Sequence, residues 1–277
     1  MSALASVPER QMRHTSPSPI LRSAVLAAGT GTPVLLLHGS VSSGAMWTPV
    51  INVLKSSFRV LAPDLIGYGR TDPWPDGHDF AIDDEARLIE PLIAGAPAHV
   101  VAHSYGGVVA LQLARAGRVT LRSLTLIEPV EFHVLRAADD REAWSEVHGF
   151  GERYLVRMAA GDTDTALHEF VDFWSGAGAW DAMDEPGRAQ MRRAAAKLAL
   201  DFRATFTEPG PDPWSHIRLP VHLLAGDKSP LAIRRVAAIL ARRLPSAALQ
   251  VVAGADHFLP MTHHELLAGI LLEKLSK

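Results

Sequence analysis

The stretch Val100-Val101-Ala102-His103-Ser104-Tyr105-Gly106-Gly107-Val108 runs from an apolar β-type segment, through a single serine, into small residues that open a helix. A strand turning sharply into a helix holds such a serine in a strained backbone conformation, with Oγ raised above the sheet and the following N–H free to meet an oxyanion. Small neighbours make that turn sterically possible. The pattern reads Ala102-x-Ser104-x-Gly106, with alanine where glycine usually stands. Ser104 is therefore the first candidate nucleophile, and the strand leading to it is the first clue to the fold.

Outward from this turn, apolar β-rich runs occupy residues 34–38, 59–63, 99–103, 121–127, 220–225 and 248–252, each followed by a turn or a helical pattern. Nearly continuous apolarity predicts strands buried on both faces, the habit of parallel strands joined by crossover helices. Residues 82–93, 105–116, 232–244 and 263–275 carry helical periodicity. The predicted fold class is α/β, a mostly parallel central sheet flanked by helices. From 131 to 214 strands give way to repeated helical spacing, as in Leu167, Phe170, Val171 and Trp174 or Met191, Ala194, Ala195 and Leu198. This interval, 131–214, predicts an inserted helical cap between two core segments, 20–130 and 215–277. It carries 11 of the chain's 18 aromatic residues, so a pocket beneath it should be largely apolar.

A chain of 277 residues, 48% hydrophobic and 21% charged, suits one large domain with such an insert. Its net charge of −3 is spread over both signs, which argues against nucleic acid or an anionic membrane as partner. The absence of cysteine excludes disulfides, thiolate nucleophiles and thiolate metal sites. Residues 1–19 mix Ser, Pro, Arg and Gln, lack the apolar core of a signal peptide, and read as a flexible tail. No apolar run approaches the roughly 20 residues that span a bilayer. The expectation is a soluble cytoplasmic protein acting on a small molecule, with no pattern that specifies an oligomeric state.

Three further segments, set beside the serine turn, occur in the order found in the α/β-hydrolase superfamily, and from about Arg22 onward the chain resembles a serine hydrolase of that superfamily with a helical cap. Leu35-Leu36-Leu37-His38-Gly39-Ser40, followed by Trp47, resembles its oxyanion loop. The resemblance implies that the backbone N–H of Ser40 joins that of Tyr105 in binding a tetrahedral intermediate, where one donor is typically worth about 3 kcal/mol. The His38 side chain reads as loop packing. Asp64-Leu65-Ile66-Gly67-Tyr68-Gly69-Arg70-Thr71 is similar to a structural turn of the family, with Asp64 able to accept from nearby N–H groups. Val251-Val252-Ala253-Gly254-Ala255-Asp256-His257-Phe258-Leu259-Pro260 resembles the catalytic-histidine loop. A serine hydroxyl needs a base whose pKa lies near the operating pH, and His257 is the implied imidazole. His103 and the His263-His264 pair read as packing and helix-start residues. No metal-ligand spacing emerges, and no cofactor is expected.

Two places are open for the acid. The first is Gly226-Asp227-Lys228-Ser229-Pro230, where the usual family acid would lie three residues beyond the glycine and Ser229 stands instead. Asp227 is the carboxylate nearby. The second is Glu128-Pro129, at the end of run 121–127 and just before the cap, a position that certain haloalkane dehalogenases use. Glu128 is preferred, because the third group must sit at a strand's carboxyl end, with a hinge role as its competing reading. A serine rather than an aspartate at the elbow disfavours dehalogenase and epoxide-hydrolase chemistry. The expected reaction is hydrolysis of a carboxylic ester-like bond in a small, largely apolar substrate through an acyl-enzyme. Cleavage of a lactone or a carbon–carbon bond, cofactor-free oxygenation, or a ligand receptor with little turnover are the alternatives, since fold alone does not dictate activity.

Overall fold

Apolar strands buried on both faces have only each other to satisfy their backbone groups, and here they pair into one sheet. The computed structural model describes residues 21–207, 214 and 216–276, so the tail expected over 1–19 lies outside the described residues. Its strands are β1 (Val25–Ala28), β2 (Pro33–Leu37), β3 (Arg59–Pro63), β4 (Ala98–His103), β5 (Leu121–Ile127), β6 (Val221–Gly226) and β7 (Ala247–Val252). They lie in the order β1-β3-β2-β4-β5-β6-β7. Every neighbouring pair is parallel except β1 with β3. The edge strand β1 is the one the sequence reading misses. It has four residues, none fully buried, and so lacks the apolar signature of the interior strands.

The core helices are α1 (Thr48–Leu54), α2 (Ile82–Ile89) and α3 (Tyr105–Ala116) before the insert, and α9 (Leu231–Arg243), α10 (Leu259–Thr262) and α11 (His264–Leu275) after it. Alternation along the strands divides the side chains between two layers, as the pleat requires. Leu35, Leu37, Val100 and Leu126 join residues of α2, α3 and α9. Val34, Leu36, Val101 and Ile127 face the other way, onto α1 and α11. Each fully buried aliphatic side chain contributes about 2 kcal/mol of transfer free energy, which is what holds helices on both faces.

Between β5 and β6 the described residues form only helices: α4 (His133–Ala137), α5 (Arg141–Ala159), α6 (Thr163–Ser175), α7 (Ala179–Ala182) and α8 (Glu185–Phe206). The helical insert expected from the periodicity of 131–214 is therefore present. It has a core of its own, in which Phe150, Tyr154, Leu167, Trp180 and Phe202 pack together. Asp184 starts α8 by accepting the Gly187 N–H at 2.9 Å, the satisfied N-terminus that a long helix needs. None of the described helices is long and apolar enough to cross a membrane. The insert stands over the carboxyl ends of β4 and β5, where ligands bind in open α/β sheets.

Candidate active site

Strand β4 ends at His103 and α3 begins at Tyr105, which leaves one residue for the turn. That residue, Ser104, has φ +54°, a left-handed value that L side chains rarely adopt. Its N–H donates to the Ile127 carbonyl at 3.0 Å and fixes the turn to the neighbouring strand. Gly106 makes the turn possible: a Cβ there would lie 2.6 Å from the His38 carbonyl oxygen and 2.7 Å from that of Leu37. Ala102 is fully buried within β4, so its methyl group fits where the motif usually has glycine.

The three residues proposed for the chemistry meet at this turn. Ser104 Oγ lies 3.1 Å from His257 Nε2, and His257 Nδ1 lies 3.3 Å from Glu128 Oε2. Glu128 Oε1 accepts the Gly226 N–H at 2.5 Å. Glu128 is itself left-handed, at φ +52°, so two strained non-glycine residues stand side by side at the ends of adjacent strands. Asp227, the alternative acid, is not brought to the histidine. It is exposed, and its Oδ1 accepts the Gly254 N–H at 2.8 Å. Ser229, where the family resemblance would put an acid, is buried and offers the histidine no carboxylate.

Burial governs the charge states. It pushes the Glu128 carboxyl up to about 7 against the pull of the Gly226 amide, and it lowers His257 to about 3. The imidazole is thus neutral, with Nδ1–H toward Glu128 and the Nε2 lone pair toward the serine hydroxyl. Trp174 of α6 covers the same ring, 4.1 Å between centroids. His103 supports the loop from below by donating Nε2–H to the His257 carbonyl at 2.8 Å.

The loop after β2 closes over the serine. A Cβ on Gly39 would come within 2.9 Å of the Ser104 Cβ, so the chain passes at its closest possible approach. That places Ser40 on the cavity wall beside Ser104, while Tyr105 follows Ser104 directly. His38 packs the loop as expected, accepting the Leu65 N–H at Nε2 (2.9 Å) and donating Nδ1–H to the Gly39 carbonyl (2.7 Å). Asp64 ties the stretch after β2 to its own turn, accepting the N–H groups of Gly44 and Arg70.

Above Ser104 lies a cavity of about 280 Å³, walled by Phe132, Phe170, Trp174, Met191, Leu198 and Phe202. Its floor is polar and its walls apolar, an arrangement suited to a reacting carbonyl carrying an apolar group. Among its described lining residues no Lys or Arg occurs, and Asp201 is the one carboxylate. Two participants escape the sequence reading, Trp174 and Asp201. Trp174 is legible only as one residue of an apolar stripe. Asp201 has a signal: with Lys197 it forms an i, i+4 charge pair on a helix whose Ala194, Ala195 and Leu198 are buried.

Residues 34–270 match the sequence profile of the Alpha/beta hydrolase family. Over 161 residues the chain is 29% identical to 2-hydroxymuconate semialdehyde hydrolase of Pseudomonas sp., covering 55% of this chain and 56% of the relative. It is 32% identical over 141 residues to the probable lysophospholipase BODYGUARD 2 of Arabidopsis thaliana, covering 44% of this chain and 30% of that protein. Against four such plant proteins the match spans between 22% and 59% of their length. The crystal structure of an alpha/beta hydrolase from Sphaerobacter thermophilus superposes with a TM-score of 0.66 at 22% identity, covering 90% of this chain and 96% of that one.

Proposed function

The chain belongs to the alpha/beta hydrolase family, and on that premise we propose that it is a serine hydrolase cleaving a carboxylic ester-like bond in a small, largely apolar substrate. The observation that carries this reading is the Ser104–His257–Glu128 relay opening into an apolar cavity, with Oγ and Nε2 at 3.1 Å. Ser104 Oγ attacks the carbonyl carbon, and its proton passes to His257 Nε2. The new imidazolium, stabilised by Glu128 through Nδ1–H, returns that proton to the departing alcohol as the carbon–oxygen bond breaks. Water then repeats the sequence on the acyl-serine, releasing the acid and restoring the hydroxyl. The N–H groups of Ser40 and Tyr105 hold the oxyanion in both halves. The helical insert serves as the cap that selects the acyl group.

Substrate polarity follows from the cavity. No Lys or Arg occurs among the described lining residues, and Asp201 on the wall is already paired with Lys197, so neutral acyl groups are favoured over anionic ones. Wild-type protein is expected to hydrolyse p-nitrophenyl butyrate and to be labelled on Ser104 by a fluorophosphonate. Ser104→Ala should lose both while keeping its circular dichroism spectrum. Full turnover in that variant, or a wild-type protein inert to the phosphonate, would sink the assignment.

A further inference from the structure

Three ionisable side chains that this chemistry does not use are buried together where the insert meets the sheet layer. Lys197 and Asp201 lie one turn apart on α8, and Glu85 lies on α2. The Lys197 ammonium bridges the carboxylates, 2.9 Å from Glu85 Oε1 and donating to Asp201 Oδ1. Around it the rings of Tyr68, Phe80 and Tyr105 stand with centroids 4.6 to 5.0 Å away. Burial alone would lower Lys197, but the two carboxylates hold it above its usual value, so it stays charged. Such a cluster gives little net stability over apolar residues of the same volume, which directs attention to what it holds.

From both carboxylates, contacts run outward to the site. Asp201 Oδ2 accepts the Ser40 hydroxyl at 2.5 Å and the Tyr68 hydroxyl at 2.6 Å. Glu85 Oε1 lies 3.5 Å from the Tyr105 hydroxyl, while Oε2 accepts the Ile66 N–H at 3.0 Å. Ser40 and Tyr105 are the two residues whose amides are assigned to the oxyanion. Both side chains reach the same ion triad, Ser40 at Asp201 and Tyr105 at Glu85 and Asp201. The residue after Ser40, the β-branched Val41, has φ +53°, a conformation that persists only where its surroundings over-determine it.

We propose that Asp201, Lys197 and Glu85 are positioning residues that hold the Ser40 and Tyr105 amides at the oxyanion site, so that this site is complete only with α8 of the insert seated. The inference rests on the serine-hydrolase reading and adds to it a dependence of transition-state binding on the insert. An oxyanion donor is effective to the extent that it is fixed before reaction, and the Ser40 hydroxyl is the joint through which α8 fixes one of the two.

Ser40→Ala cuts that joint and leaves Asp201 bonded to Tyr68 and Lys197, so this variant carries the test, with Asp201→Asn and Lys197→Met beside it. The readouts are kcat and KM for p-nitrophenyl butyrate and inhibition by butylboronic acid. In that adduct boron bonds to Ser104 Oγ, the hydroxyl proton passes to His257, and a boronate oxygen occupies the oxyanion site. Ser40→Ala is expected to lower kcat by about 10- to 100-fold and to raise the boronate inhibition constant in parallel, less than the roughly 10²- to 10³-fold cost of losing an oxyanion donor outright, because the amide remains and only its anchor is cut. KM and inhibition by butan-1-ol, which fills the pocket without an oxyanion, should change less than about twofold, and Ser40→Thr should restore kcat. A Ser40→Ala protein with unchanged kcat and boronate affinity would overturn the positioning role while wild-type labelling and turnover leave the hydrolase reading intact. A wild-type protein that is neither labelled nor active would overturn the reading beneath it.

Discussion

The indole of Trp174 stacks on the imidazole of His257, with 4.1 Å between ring centroids and 27° between planes. An apolar ring on this face keeps water from the base and contributes to the burial that holds its pKa low. Trp174→Ala should therefore raise the pKa of His257, because desolvation is the dominant cause of its depression. The acid limb of the kcat/KM profile would move upward by about one pH unit. A midpoint unchanged from wild type would show that the stack does not set the charge of the base.

Glu128 and Asp227 make opposite predictions. Glu128 touches His257, whose tautomer it is proposed to orient, whereas Asp227 serves a surface turn. Glu128→Gln should lower kcat by roughly 10³- to 10⁴-fold, the scale on which a triad carboxylate acts, and Asp227→Asn by less than about twofold. The comparison is made on one aryl ester at one pH. A larger loss at Asp227 would reverse the assignment.

Acid should destabilise the fold through its buried histidines. His38 is lowered to about 4 in the folded chain from 6.5, because burial disfavours the charged imidazolium. Its contribution is fully present above pH 6.5 and is lost as pH falls through about 4. His103 and His257, each lowered to about 3, act in the same sense. Glu128 and Glu85 oppose them, since a raised carboxyl stabilises the folded form at low pH and loses that advantage as pH rises. The histidines outnumber them, so urea midpoints should fall on acidification below pH 6.5. Replacing His38 with Asn should flatten the slope by roughly 1.4 kcal/mol per pH unit, one proton's worth. An unaltered slope would mean that His38 is protonated in the fold.

The elbow predicts an asymmetry between two small residues. At Gly106 any Cβ meets the carbonyl oxygens of Leu37 and His38, which cannot retreat without breaking the β2–β4 ladder. Gly106→Ala should cost about 3 kcal/mol or more in unfolding free energy, the upper range of overpacking. Ala102→Gly, which restores the usual motif, should cost less than about 1 kcal/mol. Equal urea midpoints for the two variants would contradict the crowding described.

The parts of the fold that could be read in advance are those whose signal is local. Val34 to Leu37 are apolar without a break because both faces of β2 are covered, and that alone announces an interior strand. The serine turn, the histidine loop and Glu128 are likewise set by a few adjacent residues. β1 hides because a half-buried edge strand needs only its partner β3, and Val25–Ala28 resembles any short apolar loop. Ser40 and Asp201 meet across 161 residues, and no neighbour of either reveals the contact. Tertiary packing supplies it, as it supplies the stack of Trp174 on His257.

In strand register His103 of β4 pairs with Ile127 of β5, so Ser104 and Glu128 each occupy the next position beyond a matched pair. The sheet thus works as a ruler. The proposed nucleophile and acid ride on neighbouring rungs of one hydrogen-bond lattice, with a spacing of about 4.8 Å between strands, while His257 alone arrives on a separate loop. Positional error in the relay is consequently confined to one of its three members. On warming, turnover should fade as the His257 loop loosens, well before the lattice that spaces the other two gives way.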